Sequence, residues 1–477
     1  MPEIIGRLMA ARGIALDGVD DFLRPALRNQ LPDPSRLKDM DAAASRLADA
    51  VRSGETIGVF GDYDVDGATS SALLKRFFEA VGATVEIYIP DRIVEGYGPN
   101  LAGLQRLQRN GAGVVVTVDC GITAFEPLAD AAKGGLEVIV VDHHVAEPRL
   151  PAARAVVNPN RLDDDSGQGQ LAAVGVAFLL VVAVNRVLRG AGWYAARPEP
   201  DLLQWLDLVA LGTVCDVVPL TGVNRALVAQ GLKVMARRGN HGIAALADVA
   251  GATEAPDAYH AGFIIGPRVN AGGRVGECWL GATLLSTPDS AEARGYAEKL
   301  DRYNQERREI EAACLEAAID QVENGAVADG LVYASSEGWH PGVIGIVAGR
   351  LRERYNRPAC VVAMSDGIGK GSGRSVRGVD LGAAILAARQ SGLLINGGGH
   401  RMAAGFTVAR ESEESLRAFL AARIAADTGP GGITPSLRLD GALQSAGATV
   451  ALLQSLDALA PFGAGNPRPR FALPASR

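Results

Sequence analysis

The sequence predicts an α/β protein with a parallel sheet in its larger part and a second, smaller α/β unit beyond a long helix. Three observations carry this reading. Short β-rich runs, Ile57 to Phe60, Val85 to Ile89, Val114 to Val118 and Val138 to Val141, alternate with longer amphipathic segments, as a parallel sheet with crossover helices requires. The stretch from Ser290 to about Val322 is rich in Ala, Glu and Arg and free of Pro, which suits one continuous helix. After it the alternation resumes, with strand candidates Leu331 to Ala334 and Cys360 to Met364 flanking a helical stretch near Val343 to Tyr355.

At 477 residues the chain is too long for one core. The expected divisions are an α/β domain with an N-terminal extension over 1–285, a connecting helix over 286–325, a second α/β domain over 326–426, and a linker with a short further segment over 427–477. In the first domain Leu73, Leu74, Phe77, Phe78 and Val81 recur at helical spacing between the first two strands. Leu171 to Val184 is the longest apolar run; it falls short of the roughly 20 residues that span a bilayer and reads as a buried helix. Leu202 to Val209 then leads into a second apolar run that holds one acid, Asp216. Asp427 to Gly432 has linker composition.

Composition is that of a globular protein, 48% hydrophobic and 21% charged. A net charge of -7 gives no global footprint for nucleic acid, so any polyanion has to be held by a local basic groove or by bound metal. The five cysteines are widely spaced with no Cys-x-x-Cys pair, and the first residues lack a signal-peptide layout. Both point to a reduced, cytoplasmic protein.

The chemistry is concentrated at the strand ends. Gly61 to Gly67 places Asp62, Asp64 and Asp66 within five residues directly after an apolar run. Alternate positions of an extended segment share a face. Like charges about 4 Å apart repel by roughly 4 kcal/mol at a protein surface, so a cation has to compensate. Val118 runs into Asp119, and Val141 into Asp142-His143-His144. In an open parallel sheet, ligands bind outside the carboxyl ends of the strands, which would gather these groups. Several Asp with one or two His favour Mn²⁺, or Mg²⁺ with less His character, over structural zinc. Two such ions about 3.5–4 Å apart suit in-line displacement at phosphorus, with Asp119 the candidate bridging ligand. In the second unit, Gly371 to Ser375 and Asn396 to His400 are glycine-rich and read as turns that expose amides to a phosphate, with Arg374 offering a fork for its oxygens. Arg268 and Arg274 supply further cations.

These residues resemble a known family. Gly61 to Gly67, Val118 to Gly121, Asp142 to His144 and Leu211 to Pro219 are similar to the ordered motifs of the DHH phosphoesterase superfamily, and Gly397 to His400 to the signature of its companion domain, DHHA1. Leu37 to Met40, Glu95 to Gly98, Gly266 to Ala271 and His340 to Gly345 follow the order seen in its branch of bacterial exonucleases specific for single-stranded DNA. The resemblance implies 5′-to-3′ hydrolysis of single-stranded DNA to mononucleotides in repair and recombination, supported by Mn²⁺ or Mg²⁺, in a cleft between two α/β domains. By motif position it makes Asp64, Asp66, Asp119, His143 and Asp216 metal ligands, with Asp62 and His144 as close auxiliaries. It makes Arg92, Ser372 and Arg374 a pocket for the 5′ phosphate, and His400 a contact to the substrate phosphate. A single-strand-binding protein or a helicase is the implied partner, and a monomer the implied state. The branch usually continues into an oligonucleotide-binding barrel, of which 427–477 would hold only the opening segment. Two rivals share the scaffold. One is a phosphodiesterase for short oligonucleotides or cyclic dinucleotides. The other is a catalytically idle binding protein, which would be expected to lack acidic ligands that are all present here.

Overall fold

Runs of β-branched residues place four parallel strands where the sequence predicts them, as β1 (Thr56–Gly61), β2 (Val85–Tyr88), β3 (Ala112–Val118) and β4 (Glu137–Val141). A fifth, β5 (Ala155–Val157), pairs in parallel with β4. The computed structural model describes residues 2–328, 330–428 and 433–474. It divides into a first unit, Met1–Tyr303 with Arg438–Arg477, and a second, Asn304–Leu437.

The sheet of the first unit has the order β2-β1-β3-β4-β5. Successive side chains point to opposite faces. Val59, Val116, Ile139 and Val141 therefore join the core beneath the helices Val65–Ala80 and Ala173–Gly190, while Phe60, Val115, Val138 and Val140 join the core on the other face. Burial on both faces explains why the strands read as continuous apolar runs. The helix Ala173–Gly190 is long and apolar enough to cross a membrane, yet 72% of it is buried inside the unit, as a core helix is. The strand order reverses direction at β1, with β2 on one side and β3 on the other. Such a switch opens a crevice at the carboxyl ends of β1 and β3.

The second unit has a six-stranded mixed sheet in the order β10-β11-β9-β8-β7-β6, from β6 (Val327–Ala328), β7 (Leu331–Glu337), β8 (Ala359–Ser365), β9 (Ile368–Arg374), β10 (Asn396–His400) and β11 (Ala403–Ala409). The two glycine-rich segments expected as turns are thus strands. The reason is steric. Gly369, Gly371 and Gly373 alternate toward the core, where a Cβ at Gly371 would lie 2.1 Å from the Phe406 ring and one at Gly373 2.6 Å from Leu381 Cδ2. The missing side chains make room for Phe406 and Leu381, both buried. Lys370, Ser372 and Arg374 occupy the opposite face of β9.

The long helix forms as expected, over Ser290–Gln321. The expected linker lies elsewhere at its start, because the helix Glu413–Thr428 includes Asp427 and Thr428; residues 429–432 lie outside the described residues. The segment expected to open a barrel holds, among the described residues, the helix Val450–Asp457 and two short parallel strands, Gly441–Ala442 and Phe471–Ala472. It shares a small core with the N-terminal helix Glu3–Ala11, in which Leu456 and Leu459 meet Ile5, Leu8, Met9 and Phe22.

Candidate metal centre

The acidic run after β1 is not extended. The chain bends at Tyr63 and Asp64, and Asp64 becomes the N-cap of the helix Val65–Ala80, its Oδ1 accepting from the amides of Asp66 (2.9 Å) and Gly67 (3.1 Å). Asp66, already in the helix, points to the start of Ala173–Gly190 and accepts from the amides of Ala173 (2.7 Å) and Val174 (2.9 Å). Unsatisfied helix-terminal N–H groups are natural anion holders. Gly67 allows this corner, since a Cβ there would lie 2.4 Å from Asp62 O.

Asp119 follows β3 with a φ of 60°, and its amide donates to Val141 O (3.1 Å). His143 and His144 follow β4. Nδ1 of His143 lies 3.1 Å from Leu171 O, a contact that a protonated Nδ1 satisfies, which leaves the lone pair on Nε2. That Nε2 sits 3.3 Å from Asp119 Oδ1 and 3.9 Å from Asp66 Oδ2, while Asp216 Oδ2 lies 3.6 Å from Nδ1. Three trios have ligand atoms within 4.8 Å of one another: Asp62, Asp64 and Asp119; Asp66, His143 and Asp216; and Asp119, His143 and His144. Asp119 belongs to two of them. All five expected metal ligands and both auxiliaries are therefore brought together.

The electrostatics call for cations. Burial, then the neighbouring carboxylates, pushes the carboxyl groups of Asp62, Asp66 and Asp119 well up, and that of Asp216 to about 7. Burial lowers His143 to about 4, keeping it neutral and able to ligate. Burial also opposes charge on His144, but its hydrogen bond to Asp142 (2.7 Å) and the surrounding acids outweigh that and raise it to about 9. Asp62 Oδ1, His143 Nε2 and Asp216 Oδ2 are buried acceptors with no hydrogen-bond partner. Such orphaned groups are costly unless something else satisfies them. Acceptors of this kind fit divalent ions bound by oxygen and imidazole.

The remaining expected residues lie as follows. The Arg92 guanidinium stands 5.0 Å from the centre of the Tyr63 ring, and its amide donates to Cys278 Sγ (3.5 Å). Arg268 is paired with Asp301 (2.8 Å) and also donates to Ile264 O (2.7 Å), so part of its charge is compensated locally. Arg274 is on the helix Gly266–Val275, which approaches so closely that a Cβ on Gly273 would lie 2.6 Å from Tyr63 O. In the second unit, Arg374 donates to Ser372 Oγ (3.1 Å), and both flank Gly345 at the start of the helix Ile344–Tyr355. His400 is exposed at the end of β10. One residue of the site was missed. Tyr97 Oη donates to Asp119 O (3.0 Å) and lies 3.3 Å from His144 Nδ1; its motif, Glu95 to Gly98, was the available signal.

Comparison with known proteins identifies the family. The family description "DHH family, N-terminal domain" matches residues 56–213, and "DHHA1 domain" matches 328–426. The chain is 38% identical over 485 residues to the single-stranded-DNA-specific exonuclease RecJ of Dickeya dadantii, covering 99% of this chain and 83% of that protein. It is 36% identical over 484 residues to the exonuclease of the same name from Escherichia coli, again covering 99% and 83%. A crystal structure of RecJ in complex with Mn²⁺ from Thermus thermophilus matches with a TM-score of 0.83 at 34% identity, covering 98% of this chain and 65% of the other.

Proposed function

Because this chain belongs to the RecJ family of DHH phosphoesterases, we propose that it hydrolyses single-stranded DNA from the 5′ end to mononucleotides, with Mn²⁺ or Mg²⁺ held by Asp64, Asp66, Asp119, His143 and Asp216. One observation carries the reading: carboxylates and imidazoles from separate stretches of chain converge, and among them Asp62 Oδ1, His143 Nε2 and Asp216 Oδ2 are buried with no hydrogen-bond partner. When bound, a pair of divalent ions supplies Lewis-acid stabilisation of the attacking and leaving oxygens at phosphorus.

The protein's groups do the rest. Asp119, a carboxylate that belongs to two of the trios, would hold both ions. Neutral His143 presents Nε2 because Leu171 O holds its Nδ1 proton. Charged His144, fixed by Asp142, donates to a phosphate oxygen, as Asp62 helps orient the reacting group. Arg92 serves the 5′ phosphate, as do Ser372 and Arg374 of the second unit, while Arg268 and Arg274 supply further cations for the strand and His400 contacts a substrate phosphate. Phosphate contacts position a strand without reading its sequence, which suits degradation of any single strand. The protein works in the cytoplasm as a monomer, on strands exposed by a helicase or coated by a single-strand-binding protein.

The test is an assay with end-labelled DNA in which metal and strand polarity are varied. Mn²⁺ should support release of mononucleotides from 5′-phosphorylated single strands and leave blunt duplex intact. Equal attack on a strand accessible only at its 3′ end, or activity confined to di- and trinucleotides, would refute the proposal.

A further inference from the structure

Asp216 is the last ligand to leave a helix, and the turn that follows it is strained. Its amide closes the helix Leu206–Cys215 by donating to Gly212 O (2.9 Å), and Val217 then takes a φ of 62°. This is the position after a helix where glycine is usual. A β-branched residue there is a genuine outlier, and such strain persists only when the surroundings enforce it.

Val217 itself is exposed, and the contacts that hold the turn fall on the residues just after it, from 459–467, far along the chain in the same unit. Leu220 N donates to Ala464 O (2.8 Å). Gly463 and Gly465 pack so closely that a Cβ on either would lie 2.7 Å from Leu220 Cδ1 or 3.0 Å from Pro219 Cβ. The loop is itself fixed from behind. Asn466, buried, donates to Leu459 O and Pro461 O (both 2.8 Å) and accepts from Arg12. Arg225, also buried, donates to Leu459 O (3.0 Å), Ala460 O (2.7 Å) and Pro461 O (3.2 Å). A third buried side chain joins this turn to the support of another ligand. Asn224 Nδ2 donates to Pro219 O (3.1 Å) and to Gln170 O (2.6 Å), one residue before the Leu171 carbonyl that orients His143.

We infer that the loop 459–467, together with Asn224, is a positioning element for the ion site formed by Asp66, His143 and Asp216. None of these supporting residues falls within the regions matched by the DHH and DHHA1 descriptions, 56–213 and 328–426. The loop makes no contact with substrate in this scheme. It fixes the Val217 turn, and through it the Asp216 carboxylate. The inference rests on the metal reading above.

Coupling of this kind is reciprocal, so occupancy of the site must stabilise the loop as the loop stabilises the site. The experiment is hydrogen exchange on the unmodified protein with and without Mn²⁺, joined to Mn²⁺ titration calorimetry of Asn466→Ala. Mn²⁺ should slow exchange at least tenfold in peptides covering 217–221 and 459–467, beyond any change in the helix His241–Val249. Asn466→Ala should weaken Mn²⁺ binding about tenfold, equivalent to about 1.4 kcal/mol, with turnover recovering at high Mn²⁺. A purely structural role would lower the melting temperature without that recovery. If Mn²⁺ protects 62–66 and 142–144 but not 459–467, the positioning role is overturned while the metal reading stands. If Mn²⁺ protects none of them, the metal reading itself fails.

Discussion

Replacing Gly67 by alanine tests the geometry of the centre with a single methyl group. Helix propensity alone favours the change by roughly 1 kcal/mol, since Gly67 lies in the helix Val65–Ala80. The packing says otherwise. The new Cβ would stand 2.4 Å from Asp62 O and 2.7 Å from its carbonyl carbon and Cα, whereas ordinary contact begins near 3.4 Å. The obstacle is backbone, so no rotamer change relieves it, and Asp62 or the helix start must move by roughly 1 Å. Asp62, Asp64 and Asp66 all hang on that corner. A displacement of about 1 Å at a reacting centre is worth about 100-fold in rate. We expect Gly67→Ala to lose about that factor in turnover of single-stranded DNA and to bind Mn²⁺ more weakly by calorimetry. Gly349→Ala is the control, because no atom lies within 4 Å of its would-be Cβ in the helix Ile344–Tyr355. It should keep full activity and gain roughly 0.5–1 kcal/mol of stability. A Gly67→Ala enzyme within threefold of the parent in rate and Mn²⁺ affinity would refute the reasoning.

Asp119→Ala should abolish turnover while the circular dichroism spectrum and melting temperature of the metal-free protein are kept or improved, because it removes a buried carboxylate shared by two trios; a variant retaining most of its rate would remove the bridging role. Gly371→Ala should destabilise the protein by about 1–3 kcal/mol in urea titration, through the Phe406 ring 2.1 Å from the added Cβ, and Phe406→Leu in the same chain should recover much of that loss. Asp207, buried in the first turn of Leu206–Cys215, has its carboxyl raised by burial to about 6. The neutral form is the one the fold favours, so its contribution is intact below about pH 4 and lost as pH rises through 6. Asp207→Asn should therefore match the parent at pH 4 and exceed it by about 2–3 kcal/mol at pH 7.5, read as the difference between denaturation curves; equal stability at both pH values would contradict the assignment.

What could be read from the sequence was whatever is local. β1, β3 and β4 are legible because burial on both faces makes them largely apolar runs, β2 at the sheet edge through the alternation of Val85 and Ile87 with Glu86, and the acids at the strand ends because sheets of this kind present ligands there. β5 was missed: Ala155–Val157 is three residues long, and its pairing with β4 is not a local property. The glycines of β9 and β10 were misread as turns, since glycine is a poor strand former. What they accommodate, Phe406 and Leu381, lies elsewhere in the sequence. The same limit applies within the site. Asp62, Asp64 and Asp66 were expected on one face of an extended segment. The capping preference of Asp64 and the amides of Ala173 and Val174, 107 and 108 residues from Asp66, decide their true directions. The motifs point to the candidate ligands, and for Asp66 a helix start far along the chain sets the direction.

Backbone groups hold one side of three of the candidate ligands. Asp64 is held by Asp66 and Gly67, Asp66 by Ala173 and Val174, and His143 by Leu171. Asp142 instead accepts from the amides of Ile122, His143 and His144; burial opposes its charge, but the hydrogen bond to charged His144, helped by the amides, holds its carboxyl below the usual range. The contrast shows what the fold does to identical side chains: Asp142, given three backbone donors, is a fixed countercharge, whereas Asp62 and Asp216 are left with buried oxygens that have no hydrogen-bond partner. Asparagine at Asp62 or Asp216 would relieve the repulsion and stabilise the metal-free protein. The acids are kept at that cost because only they commit the crevice to divalent ions, a trade of stability for function expected where chemistry is done.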